Sequence, residues 1–256
     1  MKIIKKNLIV IAILSLIVIC WFFFIREDKV AILGYHNVVE QLENEDSVDI
    51  SVEKFEQQIK WLSDNNYKSL SMDEFYDWKV NGKKIPRKSV LITFDDGWNS
   101  FYTKAMPILE KYNMKAAVFV IYKYSENCTT NNEDTYMTFE QIEDVINNHK
   151  DMEILSHSYN LHIQENAYSK DYDMYNDDMK KVSELSSIPM EYYAYPYGHN
   201  NEEYISALKD NGFKLAFTFG PYDFARKTDN NYAIPRLGIF ESTPDWKFKL
   251  KLFLEM

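Results

Sequence analysis

The sequence predicts an α/β protein, a distorted (β/α)7-type barrel preceded by a transmembrane helix. Three observations predict it: about seven short apolar runs, amphipathic stretches that alternate with these runs, and a long apolar segment near the N-terminus. Alternation of strands and helices is typical of a mainly parallel sheet with helices packed outside it. A count of about seven strands favours a barrel, and a doubly wound open sheet is the alternative.

The predicted strands are short apolar runs of the kind that become buried. They span residues 30–35, 90–94, 116–121, 153–156, 192–195, 215–219 and 233–239. The predicted helices are amphipathic and span residues 51–65, 71–80, 99–113, 138–149, 170–186 and 201–211. Two of them have the start signal of a capping box, formed by Ser71 with Glu74 and by Thr138 with Gln141.

The long apolar segment, residues 8–25, is predicted to be a membrane anchor. It contains one polar residue, Ser15, and as a helix it spans roughly 27 Å, close to the thickness of a hydrocarbon core. Lysines at positions 2, 5 and 6 precede it, which predicts a cytoplasmic N-terminus. The segment has no small-x-small cleavage site, so an uncleaved signal-anchor is favoured over a cleaved signal peptide. We therefore expect a stub and single-pass anchor at 1–28 and one extracytoplasmic domain at 29–256, held at the cell membrane.

Charge and composition exclude several classes of function. The chain has 256 residues and a net charge of −10, and since residues 1–28 contribute +2, the exported part carries −12. A domain this acidic is a poor partner for nucleic acid, which is bound mainly through Lys and Arg. The chain has 2 cysteines, too few for a disulfide scaffold or a thiolate zinc finger.

Polar residues follow three of the predicted strands, where parallel α/β folds place their chemistry. Asp95 and Asp96 follow the second strand, His157 and His162 follow the fourth, and residues 196–199 follow the fifth. An Asp with two His gives three metal ligands and leaves a position open for water, as in catalytic zinc sites. The alternative is that the two acids cap the next helix, and spacing alone leaves both interpretations open.

Four stretches of the sequence carry more information than the spacing of single residues. They are residues 93–97 (Thr-Phe-Asp-Asp-Gly), 156–162 (Ser-His-Ser-Tyr-Asn-Leu-His), 194–198 (Ala-Tyr-Pro-Tyr-Gly) and 33–36 (Leu-Gly-Tyr-His). In their order along the chain, in which residues 33–36 come first, they resemble the motifs of the polysaccharide deacetylase family, the NodB-homology or carbohydrate esterase family 4 enzymes. The resemblance covers roughly residues 30–240 and is strongest to the branch that deacetylates poly-N-acetylglucosamine.

The resemblance implies roles for the motif residues. Asp96, His157 and His162 would hold one divalent metal, in the first place zinc, with cobalt, nickel or manganese as alternatives. Asp95 would be the general base, and the backbone N–H of Tyr197 would stabilise the oxyanion. The candidates for contact with the substrate are His36, Trp98, Pro196 and Tyr197.

The sequence departs from the family's pattern in three places. The two histidines of the second motif are five residues apart instead of four. Ala194 stands where an Arg commonly orients the base, and Arg236 is the candidate to replace it. The late Leu-x-His motif that supplies a general acid in many members is missing, because no His follows His199, which becomes a second candidate for that role beside Asp95 itself.

The implied function is metal-dependent hydrolysis of N-acetyl groups from amino sugars of a cell-wall or extracellular polysaccharide, of the peptidoglycan or poly-N-acetylglucosamine type, with release of acetate. The expected partners are an N-acetylated glycan polymer and the membrane, and no nucleic acid. Two alternatives stay open. One is a catalytically degenerate, membrane-anchored glycan-binding protein, because Ala194 and the missing acid His weaken the motif set. The other is a related metal amidohydrolase that acts on a non-polymeric amide.

Overall fold

The structure, a computed structural model, describes residues 29–42, 48–220 and 223–255, together with residue 11 and residues 13–15. Within these residues no helix is both long enough and apolar enough to cross a bilayer. The predicted anchor, residues 8–25, lies outside the described residues except for residues 11 and 13–15. The anchor and the boundary at residue 28 therefore stay predictions.

The strands form one main sheet and one small pair. They are β1 (Lys29–Tyr35), β2 (Val38–Val39), β3 (Ile50–Ser51), β4 (Lys68–Ser69), β5 (Ser89–Phe94), β6 (Ala116–Val120), β7 (Met152–Ser156), β8 (Tyr192–Ala194), β9 (Leu215–Phe217), β10 (Ala225–Arg226) and β11 (Leu237–Gly238). In the main sheet β1, β5, β6, β7, β8 and β9 are neighbours in chain order, and each is parallel to the next. The short strand β10 pairs antiparallel with β1, and β2 pairs with β3.

The main sheet curves until its two ends are joined by one segment. Ile234 forms a bridge to Phe217 of β9, and Leu237 pairs with Leu33 of β1. The predicted strand at 233–239 is thus shortened to Leu237–Gly238, because the same segment has to leave β9 and reach β1. A doubly wound sheet needs a point at which the strand order reverses, and the order here does not reverse. The predicted α/β class is confirmed, with a mainly parallel sheet curved into a half-barrel, and the doubly wound alternative is wrong.

The helices connect successive strands. They are α1 (Val52–Asp64), α2 (Met72–Lys79), α3 (Met106–Lys111), α4 (Tyr122–Asn131), α5 (Phe139–Asn148), α6 (Gln164–Ala167), α7 (Tyr172–Leu185), α8 (Glu202–Asp210) and α9 (Asp245–Glu255), with a π-helical turn at Phe101–Ala105 and a 3-10 turn at Pro196–Gly198. Each of the six predicted helical stretches contains a helix. Both predicted capping boxes are confirmed, since Ser71 and Glu74, and Thr138 and Gln141, exchange side-chain and backbone hydrogen bonds.

Three helices, α4, α6 and α9, were not predicted from the sequence. In α4 the buried residues are Tyr122, Ser125 and Cys128, of which one is polar, so that the apolar face is too weak to be recognised. The predicted helix at 99–113 begins with the π-helical turn and continues as α3. These differences leave the strand order, which positions the site, unchanged.

The strands β1 and β5 to β9 are buried on both faces, which explains their mostly apolar sequences. Alternate residues of β1 and of β5 to β9 form an interior layer on the concave side of the sheet. Phe119 and Phe217 of this layer lie on strands that are not neighbours, yet their ring centroids are 5.7 Å apart, because the sheet curves around them. Phe75 and Trp78 of α2 belong to the same layer, and the other face of the sheet packs against most of the remaining helices.

Candidate metal centre and active site

The polar site residues extend the interior rows of the barrel. Because strand side chains alternate, every second residue faces the interior. The interior residues Leu91, Leu155 and Ile234 are followed on the same face, at an even spacing, by polar residues. These are Asp95, His157 and Arg236, each at most 3% exposed. The carboxyl ends of β5 and β7, and the segment between the Ile234 bridge and β11, therefore direct charged and titratable groups into one mouth of the barrel.

Three potential ligands converge at this mouth. Oδ1 of Asp96 lies 3.5 Å from Nε2 of His157 and 3.3 Å from Nε2 of His162. This carboxylate oxygen is buried and has no hydrogen-bond partner in the described part of the chain. The ligand atoms of the three residues all lie within 4.8 Å of one another. A carboxylate oxygen and two imidazole nitrogens in this arrangement fit a small divalent cation.

The chain holds two of these ligands in place through their other polar atoms. Nδ1 of His157 lies 2.7 Å from the carbonyl oxygen of Ala194, to which it donates, and this leaves Nε2 as the acceptor that faces the other ligands. Nε1 of Trp98 donates to Oδ2 of Asp96 at 3.1 Å, which leaves Oδ1 for the cation. Asp96 itself has a φ of 70°, so the backbone turns at once after β5. Trp98, which the sequence suggested for sugar contact, thus orients a ligand.

His157 and His162 are five residues apart, and hydrogen bonds hold the loop between them in place. Leu161, the additional residue, is 2% exposed and its N–H donates to Oγ of Ser158 at 3.0 Å. The carboxylate of Asp178, on α7, accepts the backbone N–H groups of Tyr159 at 2.8 Å and of Asn160 at 2.7 Å. The loop is thus fixed by a buried carboxylate that sequence reasoning missed. Burial raises the pKa of Asp178 to about 6.

The carbonyl oxygen of His162 accepts hydrogen bonds from two tyrosine hydroxyls. The Tyr197 hydroxyl donates to it at 3.2 Å and the Tyr124 hydroxyl at 3.5 Å. Tyr124 lies on α4, one of the helices that were not predicted from the sequence, so no sequence signal pointed to this contact. The two hydroxyls hold the backbone at the third ligand.

Asp95 and Arg236 form a buried, bidentate ion pair. Nη1 and Nη2 of Arg236 donate to Oδ1 and Oδ2 of Asp95 at 2.6 and 2.8 Å. Nε of Arg236 donates to the carbonyl oxygen of Thr218 at 3.1 Å, and the rings of Phe119 and Phe219 lie 5.2 and 5.4 Å from the guanidinium carbon. The side chain of Ala194 is a buried methyl group and cannot orient Asp95. The structure places Arg236 against this carboxylate instead.

Two pKa values follow from this burial. Burial by itself raises the pKa of the Asp95 carboxyl, but the Arg236 guanidinium, together with His157 and His36, lowers it by more, so that this pKa lies well below its usual range. Asp95 is therefore ionised at neutral pH. Burial lowers the pKa of His157 to about 4, so its imidazole is neutral and able to ligate a cation.

His36 lies closer to the site chemistry than its sequence position suggests. Its Nε2 is 3.9 Å from Oδ2 of Asp95, and its ring meets the ring of Phe219 edge-on at 5.1 Å. Its Nδ1 is buried without a hydrogen-bond partner in the described part of the chain. His36 directly follows β1 and lies four residues after the interior residue Ile32, and this even spacing is the signal that its side chain enters the same mouth.

The third motif forms a tight turn beside the ligands. Pro196 is buried and begins the turn, and Tyr197 adopts a left-handed φ of 56°. Gly198 has a φ of 69°, and a Cβ there would lie 2.4 Å from the backbone nitrogen of Phe219, so no other residue fits. The Tyr197 ring packs 4.5 Å from the ring of His162, whereas the ring of His199 stacks on Tyr168 at 4.3 Å.

Comparison with known proteins shows which family the chain resembles in sequence. The family model described as polysaccharide deacetylase matches residues 82–216. The chain is 30% identical over 201 residues to a protein of Staphylococcus epidermidis named poly-beta-1,6-N-acetyl-D-glucosamine N-deacetylase, covering 73% of this chain and 67% of that protein.

Two solved structures share the fold. The Streptococcus pyogenes deacetylase PplD, solved in complex with acetate, has a TM-score of 0.76 at 23% identity and covers 88% of this chain and 98% of its own. IcaB from Ammonifex degensii has a TM-score of 0.75 at 24% identity and covers 90% of this chain and 99% of its own. Together with the matched family model, these findings show that the chain belongs to the polysaccharide deacetylase family of hydrolases.

Proposed function

We propose that this protein removes N-acetyl groups from a poly-β-1,6-N-acetylglucosamine-type polymer in a reaction that depends on a divalent cation. The observation that carries the proposal is the convergence of Asp96, His157 and His162 next to a carboxylate, Asp95, that Arg236 keeps ionised. Binding of a glycan needs no such base. The arrangement favours catalysis over a glycan-binding function.

The three convergent residues fit a cation because the Asp96 oxygen is buried without a partner and both imidazoles face it. Asp96, His157 and His162 would hold the cation, and zinc suits one carboxylate and two imidazoles. The chemistry that such a cation supplies when bound is polarisation of the amide carbonyl and activation of water.

The other site residues transfer protons and stabilise the oxyanion. Asp95 is ionised and held by both of its oxygens, so it accepts the proton of the attacking water without leaving its place. The leaving amine needs a proton, which the Asp95 carboxyl returns. His36, at 3.9 Å from Asp95, is the second group that can hold a proton there. We assign the oxyanion to the backbone N–H of Tyr197, since the left-handed turn brings that residue beside His162.

A neutral polymer that becomes cationic as amines appear suits the acidic chain, whose net charge is −10. The Staphylococcus epidermidis relative supports the choice of polymer by its name. The predicted N-terminal anchor belongs to the same proposal, because an enzyme held outside the cell membrane acts on a polymer that cannot enter the cell.

The proposal is tested by acetate release from poly-β-1,6-N-acetylglucosamine and from peptidoglycan, with the full chain and matched variants. Asp95→Asn should lower turnover about 10²- to 10⁴-fold while the bound cation, measured by elemental analysis, stays. His162→Gln should lose the cation, and Asp177→Asn, at an exposed carboxylate of α7, should change neither. Acetate release that survives both a chelator and Asp95→Asn would overturn the mechanism. Glycan binding without acetate release would favour the binding alternative.

A further inference from the structure

Exposed apolar side chains cluster beside the third metal-site residue. Between residues 48 and 220, all of which the structure describes, five large apolar side chains are exposed. Three of them are Ile163 at 46%, Tyr168 at 52% and Tyr197 at 42%, and Ile163 directly follows His162. Folded chains bury most large rings, so a cluster of exposed ones next to a site marks a binding surface.

The rings of His162, Tyr197, Tyr168 and His199 form a continuous series of contacts. The ring centroid of Tyr197 is 4.5 Å from that of His162, and the ring centroid of Tyr168 is 6.3 Å from that of Tyr197, with 32° between the two tyrosine planes. His199 stacks on Tyr168 at 4.3 Å and 25°, so the Tyr168 ring is supported on one side. The three rings thus connect the metal-site residue His162 to the exposed ring of Tyr168 through Tyr197.

The backbone under Tyr168 is anchored, so its ring does not lie on a free loop. Tyr168 closes the short helix α6, its N–H donating to the carbonyl oxygen of Gln164 at 3.1 Å. The next carbonyl oxygen, that of Ser169, accepts the Tyr175 hydroxyl and, at 2.7 Å, Nδ2 of Asn201, the N-cap of α8. Two core elements therefore hold the segment that presents the ring.

We propose that Tyr168, supported by His199, is a subsite for the sugar next to the one being deacetylated. The occupant is an N-acetylglucosamine or glucosamine residue of the same polymer chain, whose C–H face stacks on the tyrosine ring while its hydroxyls stay in water. This inference rests on the proposed function, since it takes the substrate to be that polymer. It assigns Tyr168 a role in recognising chain length and none in the reaction itself.

The test compares a β-1,6-linked N-acetylglucosamine pentamer with the dimer, both in kcat/KM for acetate release and in affinity by calorimetry. Tyr168→Ala should lower the pentamer-to-dimer ratio of kcat/KM about five- to tenfold, because stacking is lost only where a neighbouring sugar is present. Tyr168→Phe keeps the ring and should keep the wild-type ratio. Trp246→Ala, at a ring on α9 that is 67% exposed, is the control that should change nothing.

An unchanged ratio in Tyr168→Ala would overturn the subsite, as would an equal loss on dimer and pentamer, which indicates a structural effect. A wild-type protein that releases no acetate from either oligomer, but binds the pentamer more weakly after Tyr168→Ala, would overturn the catalytic proposal and support the subsite. The two proposals therefore fail in distinguishable ways.

Discussion

Arg236→Met removes the guanidinium that holds Asp95 and leaves its carboxylate buried without a counter-charge. The pair is 0% and 3% exposed, and it has two hydrogen bonds of 2.6 and 2.8 Å. Removing one member of a buried ion pair costs about 3–5 kcal/mol. This is a large part of the roughly 5–15 kcal/mol by which such domains are stable.

The magnitude is tested by a double-mutant cycle with Asp95→Leu, measured as the free energy of unfolding in urea. Each single variant should be destabilised, because each leaves one charge buried, while the double variant leaves none and should recover most of the loss. Costs that simply add, within about 0.5 kcal/mol, would refute the reasoning. Arg236→Lys keeps a charge but loses the fork geometry, so kcat should fall about 10- to 100-fold at unchanged metal content.

Three further predictions use other features of the fold. Burial raises the pKa of Glu153 from 4.5 to about 7, so the folded state binds this proton more tightly than the unfolded chain does. The free energy of unfolding should therefore fall as the pH rises from 4.5 towards 7, by at most about 3 kcal/mol. Urea titrations at several pH values should show that Glu153→Gln abolishes this fall. Asp178→Ala should release the loop before His162 and weaken zinc binding about 10- to 100-fold, whereas Asp177→Ala on the same helix should not; equal affinities would contradict this role. Gly198→Ala should lower the melting temperature and abolish acetate release, since its Cβ would meet the backbone of Phe219; wild-type activity would contradict the need for the turn.

The local features could be predicted because each depends on few neighbouring residues. The apolar runs of β1, β5, β6 and β7 are buried on both faces and are therefore evident in the sequence. The capping boxes at Ser71 and Thr138 involve residues three apart. Helix α4 escaped prediction because its buried face includes Ser125 and its tertiary contacts compensate for a weak pattern.

The sequence by itself determined the chemistry available at the strand ends: two acids after β5 and two histidines after β7. Only the tertiary structure decided which of these groups meet. Arg236 pairs with Asp95 across 141 residues of sequence, and Asp178, on helix α7, accepts hydrogen bonds from the loop before His162. The physical reason is that such contacts depend on strand order and curvature, which bring the carboxyl ends of distant strands to one mouth. Local sequence patterns carry no information about that distance.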